Sequence, residues 1–198
     1  MTVAESQPAV TTPSRSGSPT RTTGQFGVVV FLASDVMLFA PFFAAYFLLR
    51  STNSPWPPDG VELDTLRAGI ATAVLISSSA TMVAADRAEA RHDLRTMRRW
   101  LLVTALLGTV FLANQIAEYL TIGFRYDDHP YGSIYWGITM LHTGHVTAGV
   151  AAIGLLYVRA ARTRAPDEIS SWATGVSLFW HLVDVIWIGV FLTIWVIR

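Results

Sequence analysis

Apolar residues gather along the chain into five long stretches, at 25–49, 66–85, 100–122, 131–158 and 172–197, separated by short polar connections. Wound as a helix at ~1.5 Å per residue, each is long enough to cross the ~30 Å hydrocarbon core of a bilayer. The pattern predicts an all-α fold: a polytopic transmembrane bundle of five spans filling residues 25–198, with no room for an extramembrane domain. Residues 1–24, rich in Ser, Thr, Pro and Gly and lacking the apolar centre of a signal peptide, read as a disordered tail.

Composition sharpens this picture. Of 198 residues, 52% are hydrophobic and 14% charged, and the mean hydropathy is +0.43, too oily for an ordinary soluble domain. Fourteen arginines, no lysine and 14 acids leave no net charge, so no basic field exists to hold nucleic acid. The absence of cysteine rules out disulfides, thiolate metal sites, cysteine-ligated iron–sulfur clusters and covalently attached c-type haem. No internal repeat is apparent, which argues against an inverted-repeat transporter.

Arginine placement predicts orientation. Arg15 and Arg21 in the tail, Arg87, Arg91, Arg95, Arg98 and Arg99 in the second connection, and Arg159, Arg162 and Arg164 in the fourth share one side. The other side holds Arg50, Arg67, Arg125 and Arg198. The N-terminus is therefore expected in the cytoplasm and the C-terminus outside. The first connection contains Trp56, Pro57 and Pro58, whose prolines favour a turned or extended path. The second, 86–99, reads as a charged helical hairpin connection.

Within the spans lie Asp35, Glu118, His142, His145, His181 and Asp184. Ionisable groups in hydrocarbon cost ~2.5 kcal/mol or more each, so they should face protein or water and be paired. Asp35, His142, His181 and Asp184 fall at similar depth and are expected to form a polar layer. Gln115 with Glu118, His142 with His145, and His181 with Asp184 are spaced i and i+3, so each pair shares a helix face. His181 and Asp184 are expected to share a hydrogen bond. Two readings of the histidines stand: a His/carboxylate metal site, or polar groups that lock helices together. Asp35 is either a proton-exchanging carboxyl or a protonated acid bonded to a neighbouring helix.

The aromatic run Phe39, Phe42, Phe43, Tyr46 and Phe47 fits packing or a lipid-facing stripe. Trp100, Tyr131 and Trp172 near span ends, with Trp187 and Trp195 in the last span, suit an aromatic belt or helix packing. The second span is dense in small residues, from Gly69 through Ser77, Ser78 and Ser79 to Ala80, which permits close helix approach.

Several segments taken together resemble subunit III of the haem–copper cytochrome c oxidases, in its five-helix bacterial form. They are Ser34–Asp35–Val36–Met37–Leu38–Phe39, Trp56–Pro57–Pro58, Gln115 with Glu118–Tyr119, Tyr131–Gly132–Ser133 with His142 and His145, and Trp180–His181–Leu182–Val183–Asp184 with Trp187. The resemblance runs from about Phe26 to Arg198. It implies a multi-pass protein of the bacterial cytoplasmic membrane, a non-redox accessory subunit of a terminal oxidase that couples O2 reduction to proton translocation in aerobic respiration. Its partners would be oxidase subunits I and II and membrane phospholipids, with a larger respiratory assembly also open. Haem and copper would belong to the partner subunits, leaving this chain structural phospholipids and no cofactor of its own.

The resemblance gives Asp35 and Glu118 proton- or lipid-associated roles and makes His142, His145, His181 and Asp184 interhelical polar groups without metal. The family usually has Glu at the position of Asp35, the carboxyl known for reacting with carbodiimide, and glycine at those of Met140 and Thr143. The alternatives are a subunit of the same family in a quinol oxidase or nitric oxide reductase complex, and a stand-alone membrane metalloenzyme using His142, His145 and His181.

Overall fold

A computed structural model describes residues 19–163 and 169–197 of the protein. Its helices are α1 (Pro19–Thr52), α2 (Thr65–Glu89), α3 (Leu94–Thr121), α4 (Pro130–Arg162) and α5 (Ser170–Phe191), and α5 runs into a single π-helical turn, Leu192–Val196. All five carry a stretch long and apolar enough to cross a membrane. Residues 1–18, most of the expected disordered tail, lie outside the described residues, as do Arg164 and Arg198, both counted above for orientation.

The helices outrun the apolar stretches at most ends, because hydropathy reports the hydrocarbon while helical hydrogen bonding continues into the polar zone. Thus 19–24, assigned above to the tail, form the first turns of α1. The arginine-rich 86–99 segment is nearly all helix: α2 continues to Glu89, α3 begins at Leu94, and four residues make the turn, with His92 at φ 56°. Asp64 and Asp93 cap α2 and α3 by accepting the Arg67 and Thr96 backbone N–H groups at 2.9 and 3.0 Å. At α4 the cap is His129, whose Nδ1 accepts the Gly132 N–H at 2.7 Å, with Pro130 opening the helix.

Helix α2 makes the most extensive contact in the bundle, against α3. Helix α3 in turn packs on α4, and α5 closes the group against α2 and α4. Trp180 of α5 is the wedge: wholly buried, it fills the space above Gly108 of α3 and Gly149 of α4, where a Cβ would come within 2.6 and 2.8 Å of its ring. Its indole N–H bonds Ser78 Oγ of α2 at 3.0 Å, so one side chain touches three other helices.

Helix α1 rests chiefly on α4 and α5. Of its aromatic run, Phe39 and Tyr46 are buried, Phe42 and Phe43 pack on the core from partly buried positions, and Phe47 is exposed. Between the first half of α1 and α4–α5 opens an apolar cleft of about 800 Å³, lined among others by Phe31, Ala152, Trp172, Gly175 and Phe179. Arg159 of α4 lies 4.1 Å above the ring of Trp172. Trp100 and Trp172 are exposed in the manner of belt residues, whereas Tyr131, Trp187 and Trp195 are packed inside.

Candidate functional site

Burial in a helix bundle leaves a polar side chain one recourse, a partner on the facing helix. All but one of the polar groups singled out in the sequence divide among three seams, and His142 lies in an aromatic pocket.

On the α1–α4 seam, Asp35 Oδ1 lies 3.7 Å from His145 Nε2. His145 Nδ1 sits 2.8 Å from the Leu141 carbonyl one turn back, which requires the ring proton on Nδ1 and turns Nε2 towards the carboxylate. Phe39 packs edge-on against the imidazole at 5.1 Å, and Asp35 is 7% exposed.

On the α2–α5 seam the expected direct bond between His181 and Asp184 is replaced by a bridge. Ser79 of α2 donates to Asp184 Oδ2 and lies 2.9 Å from His181 Nδ1, so one hydroxyl serves both groups. The residues one turn apart on α5 point at α2 rather than at each other, because Ser79 reaches both. Ser177 donates to Asp86 Oδ2 at 2.6 Å, and the Trp187 indole donates to Thr72 Oγ1 at 3.0 Å. With Trp180–Ser78 these bonds make a polar ladder along two otherwise apolar helices.

The third seam joins α3 and α4. Tyr135 donates to Glu118 Oε1 at 3.0 Å with both residues buried, and the Tyr119 and Thr143 hydroxyls meet at 3.0 Å. Glu118 also borders a cleft of about 560 Å³ at this end of the bundle, alongside Glu62, Asp64 and Arg67. Arg67 is held by Asn114, through Nε to Oδ1 at 2.9 Å and Nη2 to the backbone oxygen at 3.0 Å. Gln115, one turn before Glu118, is buried on the same helix face.

His142 belongs to none of these ladders. It is wholly buried, stacked on Trp187 at a centroid distance of 4.8 Å and edge-on to Phe111 at 5.9 Å. His142, His145 and His181, the three ligands of the metalloenzyme reading, therefore face an aromatic pocket, α1 and α2 respectively. Three imidazoles on different seams cannot share one ion. Among the described residues no three His, Asp or Glu side chains form a group that could hold a metal.

The remaining motif residues order one end of the bundle. Trp56 packs on Tyr46 at 5.5 Å and on Tyr131 at 5.1 Å, which ties the connection carrying Pro57 and Pro58 to α1 and α4. Tyr131 donates to the Ile194 carbonyl at 3.3 Å, and Ser133 to that of Tyr126 at 2.6 Å. At Gly132 a Cβ would stand 2.5 Å from the Arg125 carbonyl, so glycine lets the 122–129 loop close over the start of α4. Val183 is buried between the ladder residues of α5.

Ser79, Asp86, Ser177 and Tyr135 were not singled out as site residues. The Ser77–Ser79 run reads as small-residue packing surface, and nothing along the chain tells which of its hydroxyls faces α5. Tyr135 lies two turns before His142, a spacing that could have placed it on the same face.

Five membrane-capable helices joined through buried polar seams, without an extramembrane domain among the described residues, define the chain as a multi-pass membrane protein of the all-α class. Residues 14–197 match the family model described as cytochrome c oxidase subunit III. Relatives include cytochrome c oxidase subunit 3 of Thermostichus vulcanus, 38% identical over 176 residues and covering 86% of each chain. The probable cytochrome c oxidase subunit 3 of Nocardia farcinica is 36% identical over 176 residues and 87% of each chain, and the Corynebacterium diphtheriae protein is 36% identical over 178. The chain belongs to the cytochrome c oxidase subunit III family.

Proposed function

We propose that this chain is the accessory third subunit of an aerobic terminal oxidase of the cytochrome c oxidase type. It stabilises the catalytic subunit, binds phospholipid and assists proton uptake while the haems and copper of subunits I and II reduce O2. The observation that carries this reading is the family match along nearly the whole chain. The excess of arginine around the 90–93 turn supports an orientation with that end of the bundle, and the N-terminus, in the cytoplasm of a bacterium.

The cleft between α1 and α4–α5 suits acyl chains. Its walls are apolar, its volume of about 800 Å³ accommodates more than one chain segment, and Arg159 stands at its α5 side to meet a phosphate. Asp35 and His145, deeper on the same α1–α4 seam, make a carboxylate–imidazole pair that can hold one proton between them.

Mild-detergent purification from the native membrane, with partner mass spectrometry and haem and metal quantification, tests the reading. Recovery with a haem–copper subunit and a copper-binding subunit supports it. Recovery with the catalytic subunit of a quinol oxidase or nitric oxide reductase keeps the family and changes the complex. Recovery alone, with stoichiometric metal on this chain, overturns it.

A further inference from the structure

We propose that Tyr119, Trp136, Tyr135, Trp195 and Trp187 form a path for one-electron oxidation through the bundle, on which Tyr135 and Glu118 together hold the oxidising equivalent. Successive ring centroids stand 4.9, 6.3, 5.9 and 5.9 Å apart. Tyr119 and Trp136, stacked and half-buried, are the accessible end; Tyr135, Trp195 and Trp187 are buried.

Spacing alone does not make the assignment, since packed aromatic rings adopt these distances for their own sake. Its first support is the identity of the rings. Indole and phenol are the aromatic side chains that give up an electron most readily. The run consists of these alone, while Phe111, Phe124 and Phe191 pack beside it.

The second support is a base in position. A phenol that loses an electron must also lose its proton, and Tyr135 already donates that proton to Glu118 Oε1 at 3.0 Å, within proton-transfer reach. The bond that satisfies the buried Glu118 carboxyl is thus also the one along which the proton would move.

The step balances. A strong one-electron oxidant takes an electron from Trp136, and Tyr135 then reduces the tryptophan radical cation. The Tyr135 O–H bond breaks and its proton passes to Glu118, leaving a neutral tyrosyl radical beside a neutral carboxylic acid. Return of one electron restores both. In the cell the oxidant would be a metal centre of an O2-reducing partner subunit, and this point alone rests on the function proposed above.

The test uses the full chain carrying Y126F and Y157F, which remove the exposed phenols that a soluble oxidant meets first, in lipid nanodiscs with photo-excited tris(bipyridine)ruthenium and persulfate, read by freeze-quench electron paramagnetic resonance. This chain, the wild type for the variants that follow, should give a tyrosyl signal. Y135F should lose it and show a tryptophanyl signal instead. E118Q, which keeps the phenol and removes the base, should shift the yield from tyrosyl to tryptophanyl. Y46F, at a buried tyrosine whose hydroxyl has no partner, should match the wild type and serve as the control for folding. A tyrosyl signal unchanged in both Y135F and E118Q, or no aromatic radical in the wild-type chain, overturns the proposal. Because the oxidant is supplied, this result is independent of which partners the chain is purified with.

Discussion

His145 presents Nε2 to Asp35 across the α1–α4 seam because its other nitrogen is committed to the Leu141 carbonyl of its own helix. The imidazole is thereby oriented by its own helix, and a carboxylate one methylene shorter than glutamate comes within 3.7 Å of it. The two should be energetically coupled. A double-mutant cycle with D35A and H145A, read by thermal unfolding of the purified complex, is expected to give a coupling of about 0.5–3 kcal/mol. Additivity of the two substitutions would mean that the pair does not interact. In the assembled oxidase, D35A is also expected to lower lipid content, proton-uptake rate or turnover lifetime.

Ser79 satisfies two groups at once, so its removal should cost more than one hydrogen bond. S79A leaves Asp184 Oδ2 and His181 Nδ1 without their partner in a buried seam, and the expected loss of stability is about 1–3 kcal/mol. S77A, two residues away on the exposed face and bonded only to its own helix, should be close to neutral. Equal effects of the two changes on the melting temperature would remove the bridge from the account.

The wedge at Trp180 predicts an asymmetry among glycines. G108A and G149A put a methyl into the indole ring and should destabilise by about 1–3 kcal/mol through overpacking. G69A and G154A, with nothing within 4 Å of the new Cβ, should be tolerated. Detergent-resistance midpoints for the four variants separate the outcomes.

Outside the membrane, hydrogen bonds from Thr96 hold the Asp93 carboxyl below its ordinary value of 3.8. A folded-state value depressed in this way adds stability above the unfolded value, and that stability is lost as pH falls through the folded value. The protection factors of amides in the first turn of α3, exchange rates corrected for the intrinsic pH dependence, should therefore fall in acid below pH ~4, where the ordinary carboxylate titrates. D93A should remove this acid limb and leave protection low at neutral pH as well.

Much of the fold was legible because the signal for a membrane span is coarse, and each apolar stretch became a helix. What hydropathy could not register was helix continuing past the hydrocarbon, as at 19–24. The polar residues were legible as a set, since charge in hydrocarbon demands an explanation. Their partners were not. Spacing along one helix suggested His181 with Asp184, but only the rotation of α2 against α5 decides that Ser79 lies between them. The same holds for Tyr135 and Glu118, which are 17 residues apart and joined by a loop whose path no local pattern specifies.

The placement of α1 bears on how the molecule is made. Its contacts are chiefly with α4 and α5, the last helices to leave the ribosome, and synthesis runs from the N-terminus at about 5–20 residues per second. For several seconds α1 is therefore complete while His145, the partner of Asp35, is not yet translated. A carboxylate in hydrocarbon cannot wait charged at low cost. The first helix must wait for α4 or shelter against another protein, so the seam that carries Asp35 is among the last that assembly can close.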